Sequence, residues 1–301
     1  MQLVFGVDGG QTSLKGAIAR PDGFILGEGR GPGILHLAAA EGPPRLEQSL
    51  RDCLDQCWAA AGLTPQPLLG AVLGLSGVEV GTAEARQAEA IAARVLPSSA
   101  IHACGDDEIA LAGAHAGQPG ILAIAGTGSV VLGRNATGQR VQVGGWGWQL
   151  GDEGSGAWIG REALRRILHQ VDAGDVGQLG EQLRGQWALG DWREIKRICY
   201  APGFGAREFA ALVPWVSAAA ELGDELADGL LVEAGTALGH QVGVAAQRLG
   251  ALPVAGVGSL IDHLPRFRAG FDQALTERGL MRVSPRWSPL QGALLLAAQR
   301  A

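Results

Sequence analysis

Two short segments combine glycine with hydroxyl residues at the end of an apolar run, a pattern suited to phosphate binding. The first consists of Asp8, Gly9, Gly10, Gln11, Thr12 and Ser13. The second consists of Gly126, Thr127, Gly128 and Ser129. Glycine lets the backbone approach an anion, and a turn of successive N–H groups forms a nest for phosphate oxygens. Taken alone, each segment is equally explained as an ordinary turn. The first is not a P-loop, because no Gly-Lys-Ser/Thr follows and no helix begins there.

Acidic residues could supply the remaining chemistry. Asp8 ends an apolar run and can hold a divalent cation, directly or through water. Asp106 and Asp107 follow a second apolar run and precede a predicted helix. A carboxylate at such a place can be the general base for a substrate hydroxyl, or it can cap the helix. Position alone does not choose between these two roles.

A stretch rich in glycine and tryptophan follows the second segment. Residues 144–155 read GGWGWQLGDEGS, with Trp146 and Trp148 among glycines and with Asp152 and Glu153 before a predicted helix. Flat aromatic faces beside carboxylates suit the apolar and hydroxyl faces of a sugar. The alternative is a capped helix with tryptophans packed in a core. A later glycine-rich turn, at Gly256, Gly258 and Ser259, would let a nucleoside approach the backbone, or it simply joins a strand to a helix.

The apolar pattern predicts strands on both sides of the two segments. Expected strands of the first half are residues 3–7, 14–19, 23–29, 68–75 and 100–104, and expected helices are 45–61, 82–96 and 108–116. The second half restarts with strands 120–125, 130–134 and 140–143. It continues with helical segments at 155–172, 178–199 and 206–248, a strand at 252–257 and a helix at 264–279. We expect breaks at Pro214 and near Gly223. Two strand–turn–strand openings indicate two related domains.

Composition restricts the class of protein. The chain has 301 residues, of which 47% are hydrophobic and 18% charged, so two folded domains are expected rather than disorder. A net charge of −6 without a basic run argues against nucleic-acid binding. We find neither a signal peptide nor an apolar run long enough to span a bilayer, and we therefore expect a soluble cytoplasmic protein. Four cysteines without metal-ligand spacing are expected to be reduced, buried thiols.

The order of these segments, together with the run GGWGWQLGDEGSGAWIG, resembles the N-acetylglucosamine kinase group of a family that also includes the ATPases activating benzoyl-CoA reductase and 2-hydroxyacyl-CoA dehydratase. That family lies within the actin, hexokinase and heat-shock ATPase superfamily. The resemblance implies an α/β fold, namely a two-domain ribonuclease H-like (actin-like ATPase) fold with a cleft between domains. Its domains would be 1–116 plus 286–301 and 117–285. It also implies a homodimer.

The resemblance further implies that ATP and Mg²⁺ are used to phosphorylate a sugar hydroxyl, the 6-hydroxyl of N-acetylglucosamine or a related amino sugar. Asp106 would be the base, with Asp107 as the alternative, and Asp8 would orient the metal. The two segments would bind phosphate, and Gly256, Gly258 and Ser259 would face adenosine. Sugar contacts would come from Gly145, Trp146, Asp152, Glu153 and His36. The group's usual asparagine is missing from residues 31–36, where Leu35 or His36 stands near its place, so the exact sugar stays open.

Two other classes share the fold. One is the ATPase activator of a dehydratase or reductase, which holds an iron–sulfur cluster with cysteines from two subunits. Here the phosphate segments lack cysteine, and only Cys104 is near the predicted site. The other class is a sugar-sensing repressor, which needs an added DNA-binding module. The first predicted strand begins at residue 3, so no such module is expected before it.

Overall fold

The protein contains two five-stranded sheets, each flanked by helices. The structure, a computed structural model, describes residues 1–98 and 100–301. The chain divides into two compact units. Unit 1 is Met1–Gln118 with Pro285–Ala301, and unit 2 is Pro119–Ser284.

Each unit begins with three consecutive strands, after which unit 1 alternates between helix and strand and unit 2 becomes mainly helical. Unit 1 contains β1 (Val4–Gly9), β2 (Ser13–Ala19), β3 (Ile25–Pro32), α1 (Gly42–Ala61), β4 (Gly70–Leu75), α2 (Ala83–Ala92), β5 (Ile101–Gly105) and α3 (Asp106–Ala114). Unit 2 contains β6 (Gly120–Ala125), β7 (Ser129–Arg134), β8 (Arg140–Gly144), α4 (Gly156–Asp172), α5 (Gln178–Gln186), α6 (Glu194–Cys199), α7 (Ala206–Ala210), α8 (Val213–Glu221), α9 (Glu225–Leu249), β9 (Val254–Val257), α10 (Ser259–His263), α11 (Pro265–Thr276) and β10 (Arg282–Val283). The chain then returns to unit 1 as α12 (Pro289–Gln299).

The two sheets have the same topology. Sheet 1 has the order β3-β2-β1-β4-β5, and sheet 2 has the order β8-β7-β6-β9-β10. In each, the first three strands of the unit form an antiparallel meander. The fourth strand then pairs in parallel with the first, and the fifth in parallel with the fourth. The two similar openings in the sequence therefore belong to one architecture used twice.

Alternation along the strands builds the core of unit 1. Phe5 and Val7 of β1 pack with α1 and α2 on one face of the sheet, whereas Val4 packs with α3 and α12 on the other. Glycines bring α1 unusually close to β3. A Cβ at Gly27 or Gly29 would overlap the backbone of that helix. Unit 2 has a core of its own, built on β6, β7, β9 and the surrounding helices.

Several boundaries differ from the sequence prediction. Helix α3 begins at Asp106 rather than at residue 108, because acidic side chains in a first turn are favoured by the helix dipole. The sequence predicts a helix break at Pro214, but in the structure the break precedes this residue. Pro214 occupies the first turn of α8, where a missing N–H is harmless. The very short elements α10 and β10 were not predicted. Among the described residues, no helix is both long and apolar enough to cross a bilayer.

Candidate active site

Unit 1 collects polar side chains where three neighbouring strands end. Asp8 lies near the end of β1, Ser76 directly follows β4, and Asp106 directly follows β5. Since β1, β4 and β5 run parallel, their carboxyl ends share one edge of the sheet, which is where ligands of such sheets bind. The topology therefore brings together the two acidic residues that the sequence suggested, and it adds Ser76.

The two carboxylates are half-buried and influence each other. Burial raises the pKa of Asp8, Lys15 opposes this increase from the paired position on β2, and the charge of Asp106 adds to it. Burial also raises the pKa of Asp106, against backbone amides and a hydrogen bond from the Ser76 hydroxyl, which lower it. A cation or a proton at this edge would relieve the unfavourable charge. These are the properties of a general base or of a metal-orienting group.

Asp107 is arranged differently from Asp106. Its Oδ1 accepts the Glu108 N–H at 2.8 Å and folds back over Gly105, where a Cβ would overlap it. Asp106 Oδ1 accepts the Asp107 N–H at 3.0 Å, and the neighbouring Ser76 hydroxyl lowers the pKa of Asp106. The N-cap itself is Gly105, so neither aspartate holds the capping position. Asp107 serves the first turn of α3, whereas Asp106 faces Ser76 at the sheet edge.

The first glycine turn has its carbonyl groups occupied by neighbouring elements. The Gly9 carbonyl accepts the Ser76 N–H at 2.9 Å, and the Gly10 carbonyl accepts the Ile34 N–H at 3.1 Å. In the described part of the chain, the N–H groups of Gln11 and Thr12 have no protein acceptor. A turn whose carbonyl groups already accept hydrogen bonds, and whose N–H groups have no protein acceptor, is suited to binding an anion.

The second turn, in unit 2, is built in the same way by a different element. The carbonyls of Gly126 and Thr127 accept the N–H groups of Gly156 and Ala157 at 2.8 and 3.1 Å. These donors are the first residues of α4, so the helix holds the turn in place. Over the described residues, the N–H groups of Thr127 and Gly128 have no protein acceptor. The predicted phosphate role of both turns thus has a local physical basis.

Asp152 lies against the second turn. Its Oδ2 is 2.9 Å from where a Cβ of Gly128 would stand, and its Oδ1 accepts the Gly147 N–H at 3.1 Å. Asp152 has φ 55° and is only 7% exposed. Burial raises its pKa, with the Gly147 N–H lowering it and Glu153 raising it. The helix cap considered from the sequence is instead Ser155, whose side chain accepts the Trp158 N–H at 3.1 Å.

The two tryptophans of the glycine-rich stretch have different environments. Trp148 stacks on Phe209 with ring centroids 5.7 Å apart, in a cluster that continues to Phe204. Trp146 is 75% exposed. Packing on Phe209 therefore accounts for the half-buried Trp148, whereas the ring of Trp146 is exposed, as its predicted sugar contact requires.

Unit 2 also contains a cavity of about 470 Å³ beside the second turn. It extends from Gly126 and Thr127 past Ser259 to the α8 residues Ser217 and Glu221. This volume lies within the ~300–1,000 Å³ usual for small-molecule sites. Sequence reasoning found the two turns but missed α8, since its lining residues form no motif.

The late glycine turn consists of two glycines required by close packing and of Ser259, which lines the cavity. Gly258 has φ 110°, and a Cβ there would overlap the carbonyl oxygen of Ala125. Gly256 is buried, and the side on which a Cβ would lie faces Ile261 and Phe271. Glycine at position 256 is therefore explained by packing, and Ser259 is the member of this group that lines the cavity. The predicted contact of Gly256 with adenosine stays a prediction.

The other predicted contacts of the sugar lie in both units. Gly145 and Glu153 flank Trp146 and Asp152 in unit 2, and the Gln241 side chain donates to both the carbonyl and the carboxylate of Glu153 at 3.3 Å. His36 is exposed in unit 1, with its ring beside Gly77.

Known proteins resemble this chain over most of its length. An N-acetylmuramic acid/N-acetylglucosamine kinase of Clostridium acetobutylicum is 30% identical over 252 residues, which are 78% of this chain and 76% of that protein. An N-acetyl-D-glucosamine kinase of Dictyostelium discoideum is 32% identical over 59% of each chain. A Chromobacterium violaceum protein assigned as an N-acetylglucosamine kinase has a crystal structure with a TM-score of 0.74 and 29% identity, covering 98% of this chain and 99% of that one.

These similarities confirm the two-domain α/β fold and the group that the sequence resembled. The signature of the BadF/BadG/BcrA/BcrD ATPase family matches residues 5–297. The chain therefore belongs to the BadF/BadG/BcrA/BcrD ATPase family.

Proposed function

We propose that this protein is an ATP-dependent sugar kinase that phosphorylates an amino sugar, with N-acetylglucosamine as the first substrate to test. The observation that carries the proposal is the position of Asp106, a half-buried carboxylate that directly follows β5 at the sheet edge where Asp8 lies near the end of β1. The names of the relatives support the same activity.

In this proposal Asp106 accepts the proton of the sugar hydroxyl, taken to be the 6-hydroxyl, as that oxygen attacks the γ-phosphoryl group of ATP. The N–H groups of Gln11, Thr12, Thr127 and Gly128 would bind phosphate oxygens. The cavity beside α8 would hold the nucleoside. Positioning and charge neutralisation supply most of the rate in phosphoryl transfer, which suits a site made of turns and carboxylates.

Mg²⁺ fits the residues that are present. No group of three or more His, Cys, Asp or Glu side chains among the described residues is placed to hold a metal by itself. Mg²⁺ commonly keeps several waters and binds through one or two carboxylates together with substrate phosphates. Asp8 would be that carboxylate, since a cation would stabilise its charged form, which burial disfavours. When bound, Mg²⁺ neutralises charge on the phosphates.

Turnover should be measured as coupled ADP release with Mg-ATP and a panel of N-acetylglucosamine, glucosamine, N-acetylmannosamine, glucose and no sugar. Asp106→Asn should lose at least ~100-fold of the sugar-dependent rate, the scale of general-base catalysis. Asp107→Asn is the matched control and should keep most of it, because Asp107 folds back over α3. The 6-deoxy analogue should not be phosphorylated.

Turnover that does not depend on any sugar would refute the kinase proposal. Loss of rate in Asp107→Asn alone would assign the base to Asp107. A brown protein after anaerobic purification would favour the activator class instead. Against that class, Cys53, Cys57 and Cys104 are buried and Cys199 is half-buried, whereas a cluster shared between subunits needs cysteines at the surface.

A further inference from the structure

The glycine- and tryptophan-rich stretch, residues 144–155, rests on helix α9 near both of its ends. At its start, a Cβ at Gly144 would stand 2.5 Å from Oε1 of Gln241, a side chain of α9. At its other end, a Cβ at Gly154 would overlap the carbonyl oxygen of Ala234, which also belongs to α9. The stretch is therefore seated on this helix by close contacts, and the Gln241 amide forms one of them.

Two side chains donate to the backbone carbonyl of Glu153. The Ser129 hydroxyl lies 2.9 Å from this oxygen, and Nε2 of Gln241 lies 3.3 Å from it. Ser129 is only 4% exposed, and its own carbonyl accepts the Gly145 N–H at 3.1 Å. Ser129 therefore holds the backbone near both ends of the stretch, independently of Gln241.

Gln241 makes a second contact that Ser129 does not duplicate. The same Nε2 lies 3.3 Å from Oε2 of Glu153, a residue that is otherwise exposed. Over the part of the chain that the structure describes, Gln241 is the one side chain that donates to this carboxylate. A carboxylate held by a fixed amide loses rotamer freedom before a ligand arrives, and such pre-organisation lowers the cost of binding.

The oxygen of the Gln241 amide argues against a role in packing alone. Oε1 is buried and has no hydrogen-bond partner among the described residues. A buried acceptor without a partner destabilises a fold, whereas an apolar side chain of the same length would occupy this place without that loss. A side chain that served only packing would not need the amide, but one that orients Glu153 needs its donor.

We propose that Gln241 is a positioning residue that orients the Glu153 carboxylate toward the hydroxyls of the sugar. This inference rests on the proposed function, in which Glu153 contacts the sugar. It adds a residue of α9, a helix that carries no motif and that the sequence did not connect with the site. Gln241 touches neither substrate, and it acts through Glu153.

The test is the kinetics of Gln241→Met with whichever sugar the wild type turns over. Methionine has nearly the same length, offers no donor and removes the unpaired acceptor, so Tm should be unchanged or higher. The sugar KM should rise about 3- to 10-fold, the scale of one hydrogen bond, while kcat and the ATP KM stay within about 2-fold. Ser129 keeps the Glu153 backbone in place in this variant. Gln273→Met is the matched control, since the exposed Gln273 donates to Glu277 at 3.0 Å at the end of α11.

A double-mutant cycle separates positioning from a general loss of structure. In a Glu153→Ala background, Gln241→Met should change the sugar KM by less than about 2-fold, because its partner carboxylate is already absent. An unchanged sugar KM in Gln241→Met, or an equal rise in the Glu153→Ala background, would overturn the inference and leave the kinase proposal intact. A fall in Tm with parallel rises in both KM values would assign Gln241 to the fold alone and would also overturn it. A wild-type enzyme without sugar-dependent turnover would instead refute the proposed function and this inference with it.

Discussion

Replacing Asp152 with asparagine should stabilise the protein while impairing catalysis. Burial raises the pKa of Asp152, so the charged carboxylate is disfavoured in the folded state. The folded protein bears this penalty in full above the raised folded-state pKa, and the penalty declines as the pH falls through that pKa and is absent below the unfolded-state value. Asparagine carries no charge at any of these pH values. The gain in stability of the variant over the wild type should therefore be largest at neutral pH and smallest in acid.

The expected gain in the free energy of unfolding depends on which interactions of Asp152 the asparagine keeps. Asparagine tolerates the left-handed backbone of φ 55° at least as well as aspartate. Its side-chain oxygen can still accept the Gly147 N–H, which lies 3.1 Å from Oδ1. What disappears is an unfavourable buried charge, which we take to be worth about 1 kcal/mol, the usual size of one stabilising substitution. For a unit of this length that corresponds to a rise in Tm of about 2–4 °C.

The measurement is differential scanning calorimetry of the wild type and Asp152→Asn at several pH values, with sugar-dependent turnover on the same samples. Asp175→Asn, at an exposed position of the same unit, should leave both quantities unchanged. A variant that is less stable at neutral pH would show that the carboxylate contributes to the fold. A variant that is more stable and fully active would remove Asp152 from the substrate site.

Three further variants, at Ser76, Trp146 and Trp148, should give separable results. Ser76→Ala removes the hydroxyl that lowers the pKa of Asp106, so the acid limb of the kcat profile should move to higher pH; an unchanged limb would contradict the assignment of Asp106 as the base. Trp146→Ala should raise the sugar KM by about 10-fold through loss of roughly 1–2 kcal/mol of aromatic contact, with little change in Tm. Trp148→Ala should instead lower stability by about 1–2 kcal/mol, since this half-buried ring packs on an aromatic neighbour, and calorimetry distinguishes the two variants.

The strands around both turns could be predicted because their signals are local. Alternating apolar residues and glycine suffice for a strand, a turn and a second strand, and the helix cap at Ser155 likewise follows from one side chain. The short helix α10 and the two-residue strand β10 could not be predicted, because neither carries a hydrophobic pattern of its own. The parallel pairing of β4 with β1 was also not evident, since it joins distant residues through the helix between them.

The site was less predictable than the fold because its properties depend on tertiary contacts. Sequence position could not separate Asp106 from Asp107, and the difference comes from Ser76, which another strand brings to the edge. Nor could it separate Trp146 from Trp148. Phe209, which stacks on Trp148, is about 60 residues away, and no spacing rule connects the two.

The two units share a strand topology but little sequence similarity, because equivalent positions of their sheets carry different side chains. Asp8 pairs with Lys15 one step before the end of the β1–β2 ladder, and the equivalent pair at the end of β6–β7 is Ile124 with Val130. The same scaffold thus presents a carboxylate in unit 1 and an apolar side chain in unit 2. Both units keep a glycine turn after their first strand, and among the described residues each turn has two backbone N–H groups without a protein acceptor. In the proposed function, the acid–base chemistry belongs to unit 1 and the nucleoside cavity to unit 2, so the two units place different side chains on one strand topology.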